Sequence, residues 1–183
     1  MNPKSEFEKA VYENEFRTLI SREQLQARIA EMGRRSTEEY RGKQPIMIGV
    51  LNGAFLFMAD LIRCVELDLE VDFIKISSYG DAKVSSGQVM MLKDINAEIQ
   101  GRHVLVVEDI VDTGLSIQFL QEKFLALAPA SLRFVTLLYK KQNAKVDLHL
   151  DYVGFEIPNE FVIGYGLDYK QILRNLPAVY VLD

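Results

Sequence analysis

Short apolar runs separated by polar, glycine-bearing turns set the rhythm of this chain. Ile46-Met47-Ile48-Gly49-Val50, Val104-Leu105-Val106-Val107 and Leu132 to Tyr139 are nearly continuous rather than alternating. That is the pattern of strands buried on both faces of a parallel sheet. Helical spacing follows two of them: Phe55 to Val65 after the first, and Ile117, Leu120, Phe124 and Leu127 after the second, until Pro129 stops the helix. Upstream, Leu25, Ile29 and Met32 form a narrow helical stripe. Ser21 and Gln24 stand at capping-box spacing, and Ile20 with Leu25 makes a hydrophobic staple. Arg41 to Pro45 ends that helix. Leu69 to Ile76 and Gln88 to Leu92 read as paired strands. The loop between them, Ser77 to Gly87, is rich in serine and glycine, which predicts mobility. Asp151 to Glu156, Phe161 to Gly166 and Ala178 to Leu182 add short strands. Residues 1–20 are polar and weakly periodic; Phe7, Val11, Phe16 and Leu19 are placed to pack on a body formed elsewhere. Strands alternating with helices predict an α/β fold with a central, mostly parallel sheet flanked by helices.

Composition narrows the function classes. At 183 residues the chain suits one domain spanning 1–183. A formal charge of −5 argues against non-specific nucleic-acid binding, which needs a surplus of Lys and Arg. Cys64 is the only cysteine, so no internal disulfide forms and a reducing cytoplasm is the expected setting; its apolar, helical context predicts a buried structural thiol. No apolar run approaches a membrane span, and Met1 to Lys9 lacks a signal-peptide core. His103 precedes its strand and His149 stands alone, so both read as structural or solvated rather than as metal ligands.

The central run leads into candidate chemistry. Val104 to Val107 is followed by Glu108-Asp109, then Ile110-Val111, then Asp112-Thr113-Gly114-Leu115-Ser116 and a helix. Ligands of open α/β sheets sit beyond the carboxyl ends of the strands. A short hydroxyl- and glycine-bearing loop entering a helix offers free N–H groups and the positive end of the dipole, a cradle for phosphate. A carboxylate pair beside it suits Mg²⁺ or sugar hydroxyls. On loop statistics alone, a strand followed by Asp and Gly can equally be an acidic turn.

The order of these groups resembles the ribose-phosphate motif of the type I phosphoribosyltransferases, which join the ribose of phosphoribosyl diphosphate (PRPP) to a nitrogen base. A second long segment, Val153-Gly154-Phe155-Glu156-Ile157-Pro158 continuing through Phe161-Val162 to Gly164-Tyr165-Gly166-Leu167-Asp168-Tyr169, closely resembles the purine-binding segment of the hypoxanthine branch. The resemblance covers about residues 10–183. It implies the type I fold, with a small hood built from the N- and C-terminal segments and a flexible loop over the site.

Roles follow by resemblance. Glu108 and Asp109 hold the ribose hydroxyls, directly or through Mg²⁺. Asp112, Thr113, Gly114, Leu115 and Ser116 seat the 5-phosphate, with Ser116 where family members often carry Thr. Asp112 is also the general base at N7 of the purine. Leu51, Asn52 and Gly53 contact the diphosphate; many members carry Lys or Arg where Asn52 stands, so these contacts fall to backbone N–H groups. In the family the first peptide of that turn is often cis. Arg174 lies near the diphosphate, and Ser78-Tyr79 matches the pair in the flexible loop. Lys140 contacts the exocyclic oxygen of a 6-oxopurine, Phe161 stacks on the base, and the Val162 backbone reads its edge. Asp168 joins Glu108 and Asp109 as a Mg²⁺-associated carboxylate. The implied reaction is purine salvage: hypoxanthine or guanine with PRPP gives the nucleoside monophosphate and diphosphate. A homodimer or homotetramer is implied, acting on small molecules rather than on nucleic acid or membrane. The alternatives are a PRPP-binding regulatory protein of the same fold and a xanthine-preferring transferase. A nicotinamide-dependent oxidoreductase is disfavoured, because the loop lacks G-x-G-x-x-G.

Overall fold

Alternate residues on the inner strands face opposite sides of the central sheet, and both sides are apolar. Met47, Leu105, Val107, Val135 and Leu137 pack to one side; Ile46, Ile48, Val50, Val104, Val106 and Phe134 pack to the other. The computed structural model describes residues 16–79 and 88–182. Its elements are β1 (Phe16–Ile20), α1 (Arg22–Glu39), β2 (Ile46–Leu51), α2 (Phe55–Arg63), β3 (Glu70–Tyr79), β4 (Gln88–Lys93), β5 (His103–Val111), α3 (Leu115–Leu125), β6 (Ser131–Tyr139), a 3₁₀ turn (Lys141–Asn143), β7 (Tyr152–Glu156), β8 (Val162–Ile163) and β9 (Val179–Leu182).

The larger sheet has the order β4-β3-β2-β5-β6-β7, parallel except for the β3–β4 pair. α1 and α2 cover one face through Leu25, Ile29, Met32, Phe57, Met58 and Leu61. α3 covers the other through Ile117, Leu120 and Phe124. A second, antiparallel sheet, β1-β9-β8, joins the first strand to the last two. Its Val162, Val179 and Val181 merge with the α1–α2 side of the core.

α1 begins as its sequence predicts. Ser21 Oγ accepts from Gln24 N while Gln24 Oε1 accepts from Ser21 N at 2.8 Å, a complete capping box. Ile20 and Leu25, the staple pair, are both buried.

Five expectations change. Residues 16–20 form a strand, because β9 supplies a partner from the far end of the chain; Phe7 and Val11 lie outside the described residues. β3 runs on to Tyr79, since Ser77, Ser78 and Tyr79 pair with Met90, Val89 and Gln88. The ladder therefore absorbs the first three residues expected in the loop, and residues 80–87 lie outside the described set. α2 stops at Arg63, with Cys64 as its cap. Cys64 is partly buried at the edge of the core rather than fully enclosed. His103 is the first residue of β5, and its Nδ1 shares a 2.8 Å hydrogen bond with Ser131 Oγ. His149 is exposed beside Asp151.

Two stability expectations follow from this packing. Phe124→Ala empties a fully buried site between α3 and the sheet and should cost about 3–5 kcal/mol. Ser21→Ala removes the cap of α1 and should cost about 1 kcal/mol. Denaturant midpoints at unchanged slope would check both.

Candidate active site

The carboxyl ends of β2 and β5 meet at a carboxylate pair. Glu108 and Asp109 occupy β5 and are only 8% and 9% exposed. Burial pushes the Glu108 carboxyl well above its usual range, and the neighbouring Asp109 charge raises it further. Burial also raises Asp109, against the lowering pull of hydrogen bonds and of Arg174. Without a ligand the pair is therefore short of positive partners, a condition that a cation or hydroxyl donors would relieve.

The segments around the pair approach so closely that side chains are excluded. A Cβ on Gly53 would fall 1.7 Å from Asp109 Oδ2, and a Cβ on Gly166 would fall 2.2 Å from the Gly53 carbonyl oxygen. Gly166 also has φ +100°, which favours glycine. The Leu51–Asn52 peptide is cis. Arg174 braces this stack, donating to the Gly166 carbonyl at 2.7 Å and pairing with Asp168 at 2.6 Å. Asp168 also accepts from the Gln171 N–H at 2.8 Å. The Tyr165 hydroxyl bonds to Asp60 of α2, which ties the segment to the body. Together Leu51, Asn52, Gly53, Glu108, Asp109, Ser116, Asp168 and Arg174 line a cavity of about 380 Å³.

A second cavity of about 240 Å³ lies at the N-terminus of α3, lined by Glu108, Asp112, Thr113, Gly114 and Ser116. Leu115 is the first residue of that helix, and Gly114 caps it at φ +85°. A Cβ on Gly114 would strike Leu148 at 2.3 Å and Val146 at 2.9 Å. The loop is thus held against the β6–β7 connection with its free N–H groups at the positive end of α3, suited to an anion. Glu108 and Ser116 line both cavities, so one ligand with two anionic ends can span them.

Lys140 follows β6 and is 7% exposed. Its ammonium lies 3.5 Å from Asp112 Oδ2. Asn143, three residues on, donates to Asp112 Oδ1 at 2.8 Å and to Asn159 Oδ1 at 2.5 Å. No apolar or glycine pattern singles out Asn143; its only sequence signal is its place in the short polar connection after Lys140. Phe161 is 53% exposed, with Tyr169 edge-on at 6.2 Å between ring centroids. Val162 is buried in β8 opposite Val181.

Most of the sequence-predicted residues therefore gather at one end of the sheet. Of Ser78 and Tyr79 the structure describes the backbone alone, which completes β3. The proposed metal set is looser than expected. Asp168, Glu108 and Asp109 share a cavity, but among the described residues no three acidic, His or Cys side chains converge on one ion. This still fits Mg²⁺, which takes hard oxygen ligands and is commonly bound by one or two carboxylates with substrate phosphates.

The chain is similar to known proteins. The phosphoribosyl transferase domain model matches residues 21–170. The hypoxanthine-guanine phosphoribosyltransferase of Bacillus subtilis is 47% identical over 91% of this chain and 92% of that protein. The bifunctional protein TilS/HprT of a Listeria monocytogenes serotype 4b strain is 48% identical over 91% of this chain, which spans only 26% of that longer protein. The crystal structure of a hypoxanthine phosphoribosyltransferase from Staphylococcus aureus superposes with a TM-score of 0.90 at 38% identity, covering 94% of this chain and 95% of the other. This chain belongs to the phosphoribosyl transferase family, on its hypoxanthine-guanine phosphoribosyltransferase branch.

Proposed function

We propose that this chain is a purine-salvage enzyme that transfers the 5-phosphoribosyl group of PRPP to hypoxanthine or guanine, releasing diphosphate. The observation that carries the reading is the Lys140–Asp112 pair. A 6-oxopurine in its N7–H form presents an acceptor, O6, beside a donor, N7–H. A buried ammonium beside a carboxylate is the complementary edge. Adenine presents an amino group where Lys140 needs an acceptor.

PRPP spans the two cavities in this reading. Its 5-phosphate sits at the α3 N-terminus on the N–H groups and hydroxyls of residues 112–116. Its ribose hydroxyls donate to Glu108 and Asp109, which supplies what that buried pair lacks. Its diphosphate lies against the N–H groups of the Leu51–Gly53 turn and the Arg174 guanidinium. Asp168, with Glu108 or Asp109, would hold Mg²⁺, which neutralises charge on the diphosphate when bound. Phe161, half exposed, covers the base, and the Val162 backbone meets its edge.

The bond from ribose C1 to diphosphate breaks as N9 of the purine bonds to C1. Positive charge then develops on the base, N7–H becomes acidic, and Asp112 takes its proton. Alignment and charge stabilisation carry the rate, with no covalent nucleophile required. The domain spans 1–183, and the β1-β9-β8 sheet is its hood. A homodimer or homotetramer belongs to the same reading; the exposed Met90, Met91 and Leu92 on edge strand β4 support an assembly that covers that edge. A cytoplasmic setting fits the lone cysteine, and no helix among the described residues is long and apolar enough to cross a membrane.

Initial rates with PRPP and Mg²⁺ on hypoxanthine, guanine, xanthine and adenine test the reading. Turnover of 6-oxopurines without adenine supports it. A xanthine preference would rename the substrate, and PRPP binding without turnover on any base would favour the regulatory alternative. Asp112→Asn should keep PRPP affinity and lower kcat about a hundred- to ten-thousand-fold; unchanged kcat would remove the general-base role. Lys140→Gln should cost about ten- to a hundred-fold in kcat/KM for hypoxanthine, since a charge-assisted hydrogen bond is worth ~1.5–3 kcal/mol. It should also narrow the gap to adenine in the same assay.

A further inference from the structure

We propose that Asn143 is a positioning residue for the general base: it fixes which oxygen of Asp112 receives the purine proton and couples that carboxylate to the segment that covers the base. The proposal rests on the functional reading above. Asp112 is partly exposed and sits on a short loop, and the Lys140 ammonium meets only its Oδ2, at 3.5 Å. Asn143 fixes the other oxygen. Its amide nitrogen donates to Asp112 Oδ1 at 2.8 Å and to Asn159 Oδ1 at 2.5 Å, so each of its two amide hydrogens has a committed acceptor. The orientation of the amide is not arbitrary. Turned over, Asn143 would face the Asp112 carboxylate with its own carbonyl oxygen, acceptor against acceptor.

The neighbouring backbone holds Asn143 in range. Lys140 N donates to the Val111 carbonyl at 2.9 Å, and Lys145 N donates to the Thr113 carbonyl at 2.9 Å. Residues 140–145 thus run alongside 111–113, and the contact to Asp112, the middle residue, is made by the Asn143 side chain. With Oδ1 engaged, Oδ2 is the oxygen left for N7–H, and it is the one nearest the Lys140 ammonium. Among the described residues, the charged group that touches Asp112 is that ammonium, and the Glu108 carboxylate lines the same cavity. Asn143 is neutral, so it steadies the carboxylate without competing with Lys140 for O6. Asn159 precedes Phe161 by two residues, so the same amide ties the base-covering segment to the proton acceptor.

The test is the split between kcat for hypoxanthine and KM for PRPP. Asn143→Ala should lower kcat roughly tenfold, the worth of one hydrogen bond to a charged group, and leave KM for PRPP unchanged. Asn143→Asp keeps the shape but sets two carboxylates together, and should lower kcat further. Asn159→Ala should give a smaller loss than Asn143→Ala, because the bond to Asp112 remains. In the Asp112→Asn background, where no carboxylate is left to position, Asn143→Ala should add no further loss. If the unmodified enzyme turns over 6-oxopurines but Asn143→Ala leaves kcat unchanged, or lowers it equally with and without the Asp112 carboxylate, Asn143 only docks the loop and the proposal is wrong. If the unmodified enzyme turns over no base, the functional reading fails first and this inference falls with it.

Discussion

Two carboxylates buried at the end of β5 are the constraint on which the rest of the site depends. Burying a charge without a partner is costly, and a folded protein tolerates it chiefly where a ligand completes the site. The protein does not relieve the strain with a basic side chain at Asn52. It brings backbone instead: Gly53 approaches Asp109 where no Cβ fits, Gly166 lies over Gly53, and Arg174 binds back to Gly166. Three segments distant in sequence are stacked against one pair of acids. Among the described residues, the cation within this stack, Arg174, is itself engaged with Asp168.

That stack needs a rigid floor. β2 and β5 are buried on both faces and pair with each other in parallel from Ile46↔Val104 to Gly49↔Val107. That register sets Val50 and Leu51 level with Glu108 and Asp109, so the turn after β2 and the carboxylate pair lie side by side. The β6–β7 connection then lies along the loop that follows β5, bonding at Val111, Asp112 and Thr113 in turn and pressing Val146 and Leu148 where Gly114 has no side chain. A short loop suited to an anion becomes as fixed as the sheet beneath it.

The legible parts of the chain were those where local pattern and tertiary demand agree. Continuous apolar runs announced β2, β5 and β6, and the Ser21–Gln24 spacing announced the start of α1. β1 was not legible, since residues 16–20 become a strand only when the last residues of the chain pair with them. The end of β3 was hidden for a related reason. Ser77 and Ser78 read as loop, but the partner strand holds them in the ladder. In the site, acids and glycines followed by a helix could be found by order alone. Asn143 could not, because its meaning lies in distances to Asp112 and Asn159, residues on two other loops.

Under the proposed function, base recognition turns on exchanging one pair of partners for another. The Lys140 ammonium is almost enclosed and the Asp112 carboxylate is the charge it meets. Separating them without replacement would leave a buried cation unpaired, at the cost such groups carry. In that reading a 6-oxopurine would separate them with replacement, O6 to the ammonium and N7–H to the carboxylate. Adenine would not, since its amino group would face the ammonium with two donors and no acceptor. Discrimination would then arise from the penalty on the wrong base more than from added contacts to the right one, which is how a site of few polar groups becomes selective.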